Sequence, residues 1–501
     1  MSQDDAGDPA LGRLADAIII PPFPGLSAPR WILTALGRGL AGVTLFGQNI
    51  STPDRVRALT ASLRAAAAGA SGYEPVIAID EEGGDVTRVA YSAGSPYPGN
   101  AALGAVDDTT LTRSVYQAIG ADLAALGINF DLAPCADVLG SADSPAVGTR
   151  SFGADTDLVS RHTAAAVAGL QGAGVVACTK HFPGHGRTGT DTHEAIATIE
   201  GGLDELRQKD LPPFAAAIRA GTLAIMPSHL RLPELTGDLP ATVSGTAITG
   251  LLRGELGFTG VVVCDALEMR ATRDAFGVPG AAVLAVAAGT DLLCLGRDGD
   301  EDQYLAVRAA LTGAVRDGAL TGARLEEAAD RVARLRRGLA RTRPASGAPA
   351  GLTGPAEVGL AAARRAARLS GIRPALDRPL IIEVEPRENI AAGRFTWGLS
   401  PWVPAVSVRR VSAGAASGRA GYAAGILEAS AGRSLVLVVR DAHRDQSTQS
   451  LVTALIAARP DLVLVEMGLP RWFPPGGICH LVTYGASRAS AQAAAELLGL
   501  A

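Results

Sequence analysis

The chain has 501 residues, 48% of them hydrophobic and 19% charged, a composition that can bury a sizeable core and excludes a mainly disordered polypeptide. Its formal charge is −5, from 45 Lys and Arg against 50 Asp and Glu, and it has no basic tract, so it lacks the electrostatic footprint of a nucleic-acid binder. The five cysteines (Cys135, Cys178, Cys264, Cys294, Cys479) contain no C-x-x-C pair and no zinc-ligand spacing, and read as reduced core thiols.

The N-terminus, MSQDDAGDPALGRLADAIII, opens acidic and carries no basic run ahead of an apolar segment. No stretch approaches the ~20 apolar residues of a membrane span. A cytoplasmic protein without membrane or nucleic-acid partners is the expectation, and oligomeric state is left open.

Eight short apolar runs come next in chain order. They are ADAIII (15–20), AGVTLF (41–46), PVIAID (75–80), GINFDLAP (127–134), GVVACTK (174–180), TLAIMPS (222–228), GVVVCDA (260–266) and GTDLLCLG (289–296). Each is rich in Val, Ile and Leu without strict alternation, as parallel strands covered on both faces are. Ala-rich segments with helical spacing separate them, such as Asp54–Ala68, Thr109–Leu126, Asp157–Ala173 and Leu203–Ala220. Eight strands alternating with helices over about 330 residues predict an α/β fold of the (β/α)8 barrel type. A doubly wound sheet is the other reading, but no G-x-G-x-x-G follows the first strand.

A helical stretch, Leu320–Ala340, ends this region, and RTRPASGAPAGLTGP (341–355) reads as a linker. Four further apolar runs then restart an α/β pattern: RPLIIEVE (378–385), SLVLVVRDA (434–442), DLVLVEMG (461–468) and CHLVTYG (479–485). The expected organisation is a barrel over 1–340, a linker over 341–355 and a smaller α/β sandwich over 356–501.

In such a barrel, chemistry sits where strands end and βα-loops begin. The third strand ends in Asp80-Glu81-Glu82-Gly83-Gly84, and the fourth leads to Asp137. The fifth ends in Lys180-His181-Phe182-Pro183-Gly184-His185-Gly186, with Asp191-Thr192-His193 soon after. The sixth ends in Ser228-His229 and the seventh in Cys264-Asp265. Charged groups at the ends of apolar strands carry a desolvation cost and need partners or a ligand.

Asp265 suits a nucleophile for an anomeric carbon, or equally a cap for the next helix. Asp191 and His193, two residues apart in RTGTDTH, would lie on one side of an extended loop. There the carboxylate can orient an imidazole for proton transfer, unless the loop is merely a solvated one. The spacing matches no strong metal signature. Lys180 is one of only two lysines in the chain. It suits an ammonium offered to ligand oxygens, or an ion pair with Asp80 or Asp137.

These segments together resemble glycoside hydrolase family 3, specifically its bacterial β-N-acetylglucosaminidases of the peptidoglycan-recycling type in their two-domain form. The motifs are AGVTLFGQNI (41–50), IAIDEEGGDVTR (77–88), PAVGTRSFG (145–153), KHFPGHGRTGTDTH (180–193), MPSH (226–229), PATVS (240–244) and VVVCDALEM (261–269). The resemblance implies that Asp265 is the nucleophile, His193 the general acid/base and Asp191 its helper. It implies that Asp80, Arg88, Arg150, Lys180 and His181 bind the sugar.

The resemblance further implies retaining hydrolysis of terminal β-linked GlcNAc, with muropeptide fragments as substrate and neither metal nor organic cofactor. Glu81 stands where Gln is usual, Asp85 where Arg is common and Arg187 where Asp is frequent, each altering charge near the expected pocket rim. The rivals are a GlcNAc-specific phosphorylase of the same family, a β-glucosidase drawing its acid/base from the second domain, and a catalytically silent sugar-binding protein.

Overall fold

The computed structural model describes residues 8–69, 73–140, 144–189, 197–199, 201–342, 356–386, 393, 398–412, 422–474 and 476–501. The chain divides into two compact units. One comprises Met1–Glu81, Thr112–Val147 and Ala154–Gly354, the other Glu82–Leu111, Gly148–Gly153 and Pro355–Ala501.

The first unit is built on eight parallel strands, one in each predicted run: β1 (Ile19–Ile20), β2 (Gly42–Thr44), β3 (Val76–Ile79), β4 (Phe130–Asp131), β5 (Val176–Phe182), β6 (Ala224–Pro227), β7 (Val261–Val262) and β8 (Leu293–Cys294). Strands β2 to β7 pair in sequence order. Strand β8 pairs with β1 at Ile19↔Leu293 and Ile20↔Cys294. A parallel bridge, Val263↔Leu292, links β7 to β8, and the Thr44 amide donates to the Pro21 carbonyl to link β2 to β1. The ring is closed, so the runs form a barrel with no free edge.

Every residue of the first five barrel strands is buried, which is why the runs show no alternation. Around them, helices present one apolar stripe. Pro53–Ala67 starts with Pro at its first position and buries Val56, Leu59, Leu63 and Ala67, spaced to fall on one face. Thr156–Gly172 is capped by Asp155, whose carboxylate accepts from the Leu158 amide at 2.7 Å. The long stretch Arg270–Ala288 is broken at Gly277, whose φ of 63° lies in the left-handed region that favours glycine.

In the second unit six strands form a sheet. They are β9 (Arg368–Ser370), β10 (Leu380–Glu385), β11 (Val408–Ser412), β12 (Leu435–Val439), β13 (Val463–Glu466) and β14 (Cys479–Val482), in the order β9-β14-β13-β12-β10-β11. All neighbours are parallel except β9 with β14. Alternate residues feed two cores. Leu435, Leu437 and Val439 join the helix Gln446–Ala458, while Val436 and Val438 join Arg488–Leu498 on the other face. This is a three-layer α/β sandwich.

The two edge strands were not anticipated: β9 is fully exposed and β11 mostly so, and neither carries the apolar run that marks a buried strand. Residues 343–355 of the expected linker lie outside the described residues, and its first two, 341–342, belong to the helix Gly322–Thr342. All five cysteines are buried and none forms a disulfide. Among the described residues, no helix is long and apolar enough to cross a membrane.

Candidate active site

Parallel strands deliver their C-terminal residues to one end of the barrel, and the chemistry-bearing groups of the first unit collect there. Asp80 follows β3 and accepts from Lys180 Nζ at 2.8 Å. Of the two partners expected for this ammonium, Asp80 is the one it takes. The Lys180 side chain is only 3% exposed and that of Asp80 19%, so the pair is shielded yet reachable from one side. One strand over, Asp131 is fully buried and accepts from the Glu81 amide at 3.0 Å. Burial pushes its carboxyl well above the usual carboxylate range, and the nearby Glu81 and Asp80 push in the same direction.

Strand β5 changes register between Lys180 and Phe182, a bulge that re-aims the residue between them. That residue, His181, has its Nδ1 2.7 Å from Asp137 Oδ2. Asp137 also accepts from the His181 amide at 3.2 Å, the His185 amide at 2.7 Å and Cys135 Sγ at 3.1 Å. Burial alone would raise its pKa. The His181 and His185 rings, with the His181 and Cys135 bonds, outweigh burial and hold it well below the usual range. An ionised carboxylate only accepts, so Nδ1 of His181 carries hydrogen and Nε2 is the ring's other working atom.

Cys135, Asp137 and His181 are, among the described residues, the group whose donor atoms lie mutually within 4.8 Å, as a metal would need. Their bonds to one another account for that closeness without an ion.

Asp265 stands three residues beyond β7, partly exposed, and accepts from the Ala266 amide at 2.8 Å. The next helix starts at Arg270 and takes no side-chain cap, so the capping role does not hold. The segment after Asp265 is braced from β6. His229 Nε2 donates to the Ala266 carbonyl at 2.9 Å, and its Nδ1 is hydrogen-bonded with Thr242 Oγ1 at 2.9 Å, a hydroxyl that also donates to the Ser228 carbonyl at 2.9 Å. In this way MPSH, PATVS and DALEM become one hydrogen-bonded assembly.

Glu268 lies one turn past Asp265 and its carboxylate accepts from the Gly296 amide. Burial lifts it from an ordinary 4.5 to about 7. A raised carboxyl contributes stability as the neutral acid, fully below pH 4.5 and lost as pH rises through about 7. Glu268→Gln, neutral at every pH, is therefore expected to match the wild-type melting temperature at pH 4 and exceed it at pH 8. Parallel melting curves at both pH values would exclude the titration.

The other proposed sugar ligands belong to the second unit. Arg150 donates from Nε and Nη2 to the two oxygens of Glu82, at 2.9 and 2.7 Å. Arg88 is partly exposed. Asp191 and His193 lie outside the described residues.

The three charge departures do not sit at a rim. Glu81 and Asp85 are buried, and Arg187 is tied to Asp210 at 2.7 Å and Glu205 at 3.1 Å. Each is compensated or enclosed because an unpaired charge at those depths would be costly. Sequence reasoning missed Asp131 and Glu268: Asp131 is a carboxylate inside the apolar run 127–134, a signal that was available, whereas Glu268 lies beyond the run 260–266 and carries no strand-end signal.

Residues 33–335 match the Glycosyl hydrolase family 3 N terminal domain. Beta-hexosaminidase A of Pseudoalteromonas piscicida is 33% identical over 318 residues, 59% of this chain and 53% of that protein, so the match spans about half of that relative's length. Beta-hexosaminidase of Stenotrophomonas maltophilia is 38% identical over 259 residues, 51% of this chain and 75% of that protein. The solved glycoside hydrolase family 3 beta-N-acetylglucosaminidase of Paenibacillus sp. str. FPU-7 is similar at a TM-score of 0.87 and 31% identity, covering 97% of this chain and 96% of that one. With the family's domain spanning most of its length, this chain belongs to glycosyl hydrolase family 3.

Proposed function

We propose that the chain is a retaining exo-β-N-acetylglucosaminidase that removes terminal β-linked GlcNAc from muropeptide fragments. The observation that carries this reading is Asp265, a partly exposed carboxylate at the C-terminal end of the barrel that does not cap the next helix. The names of the related hexosaminidases and of the Paenibacillus enzyme support GlcNAc as the sugar.

In this reading Asp265 attacks the anomeric carbon while His193, oriented by Asp191, gives its proton to the departing glycosidic oxygen. The C1–O bond breaks and a glycosyl-aspartate forms with inverted configuration. Water then attacks C1, His193 takes its proton, and the second inversion restores the starting configuration. Asp80, Lys180, His181, Arg88 and Arg150 hold the sugar hydroxyls through charge-assisted bonds, stronger than neutral ones. The nucleophile and the proton donor are both side chains.

Hydrolysis of a fluorogenic β-GlcNAc glycoside beside its β-glucose counterpart, with and without phosphate, tests this. Release from the GlcNAc compound alone, unchanged by phosphate, is the expected result. Faster turnover in phosphate with a GlcNAc-1-phosphate product would replace hydrolysis by phosphorolysis. Silence on both compounds would overturn the enzymatic reading.

A further inference from the structure

The segment RDAH (440–443) has no catalytic signature, yet the second unit builds a buried network around it. Glu466, at the end of β13, accepts from the Asp441 and Ala442 amides at 2.8 and 3.1 Å and from Gly468 at 2.7 Å. Asp441 in turn accepts from the Leu469 amide at 2.9 Å. The turn after β12 is thereby fixed from two sides, and its first residue, Arg440, donates to Asp85 Oδ2 at 2.6 Å. The two side chains are 8% and 3% exposed, so this is a buried ion pair rather than a screened surface one.

Asp85 does more than neutralise Arg440. Its Oδ2 accepts from Thr149 Oγ1 at 2.5 Å and its Oδ1 from the Ala486 amide at 2.8 Å. Thr149 is the residue before Arg150, whose guanidinium is squared onto Glu82, three residues before Asp85. Asn100 Nδ2 donates to the Arg150 carbonyl at 2.7 Å and holds the same turn from behind. Between them Gly84, at φ 58°, passes so close to Gly99 that a Cβ would lie 2.5 Å from its Cα. The E-G-G and G-T-R loops are thus held in one register, and the carboxylate that couples them to the C-terminal layer is Asp85.

We infer that the C-terminal layer takes part in sugar recognition, with Arg440 acting through Asp85 and Thr149 as a positioning residue for Arg150. The inference rests on the reading of Arg150 as a sugar ligand. It gives the second unit a role in the reaction without a catalytic group of its own. Because the effect passes through Arg150, losing Arg440 should weaken substrate binding, and it should do so only while Arg150 is present.

The test measures kcat and KM on the fluorogenic β-GlcNAc glycoside for full-length wild type, Arg440→Gln, Arg440→Lys, Arg150→Ala and the Arg440→Gln/Arg150→Ala double variant, with melting temperatures alongside. Arg440→Gln is expected to raise KM by about tenfold with kcat within about threefold, the pattern of lost binding rather than lost chemistry. Arg440→Lys should recover most of the loss, and Arg440→Gln should add nothing in the Arg150→Ala background. If Arg440→Gln does not fold, Thr149→Val breaks the same link one step later and carries the same expectation. An unchanged KM beside an active wild type, or effects that multiply in the double variant, would overturn the inference alone. A wild type silent on the glycoside would overturn the functional reading and this inference with it.

Discussion

Asp265→Ala is expected to lower kcat on the β-GlcNAc glycoside by about four orders of magnitude, the loss typical of removing a covalent nucleophile. The fold should survive. Asp265 lies past the end of β7, is partly exposed, and accepts from the adjoining Ala266 amide. The local chain is held by other groups, since His229 fixes the Ala266 carbonyl and the side chains of Leu267 and Met269 are buried. Equal melting temperatures with a collapsed kcat would place the loss in chemistry. A variant retaining activity within about tenfold of wild type would remove Asp265 from the nucleophile's role.

Asp137→Ala should give the largest loss of stability, about 3–5 kcal/mol, as expected when one partner of a buried charged cluster is deleted. Two backbone amides, the His181 ring and the Cys135 thiol all turn to this one carboxylate. Stranding buried donors costs about 1–3 kcal/mol each, and total domain stability is only about 5–15 kcal/mol. Urea unfolding measures the loss; a change below about 1 kcal/mol would mean that the cluster contributes little to stability.

The pH dependence of this group has a definite sign. Its folded pKa is depressed, so its stabilisation is present above the unfolded value of about 3.9 and lost as pH falls through the folded one. The wild type's advantage over Asp137→Asn should therefore be full at neutral pH and shrink below about pH 4. An advantage independent of pH would rule out the ionised carboxylate as its source. Activity should fall with stability in Asp137→Ala, because the same carboxylate sets which His181 nitrogen carries hydrogen.

The barrel was legible because its strands are buried on both faces, which turns them into uninterrupted Val, Ile and Leu runs that a linear reading detects. The same reading passed over β9 and β11, since an edge strand is held by backbone hydrogen bonds and needs no apolar run. Several strand-end residues were legible for a related reason: Lys180, Asp80 and Asp265 are polar groups interrupting apolar segments, and such groups require a purpose. The sequence offers Asp80 and Asp137 alike as partners of Lys180, and only the folded geometry selects Asp80, two strands away, over Asp137, which follows the adjacent strand.

Fold class, the end of the barrel at which polar groups collect and the residue types offered there are all readable from the linear chain. It could not determine which groups share a hydrogen bond across a long separation. His181 and Asp137 are 44 positions apart, and Arg440 and Asp85 are 355 apart. Periodicity and strand-end position are local properties of the chain, set by which faces are buried. Pairings of charge depend on which loops the folded strands bring together, and the tertiary structure alone decides that. It turned Asp85 from an expected rim charge into a buried, compensated one, paired the half-buried Arg187 with Asp210 and gave RDAH its partner, because a charge removed from water must find its counter-charge wherever the fold supplies one.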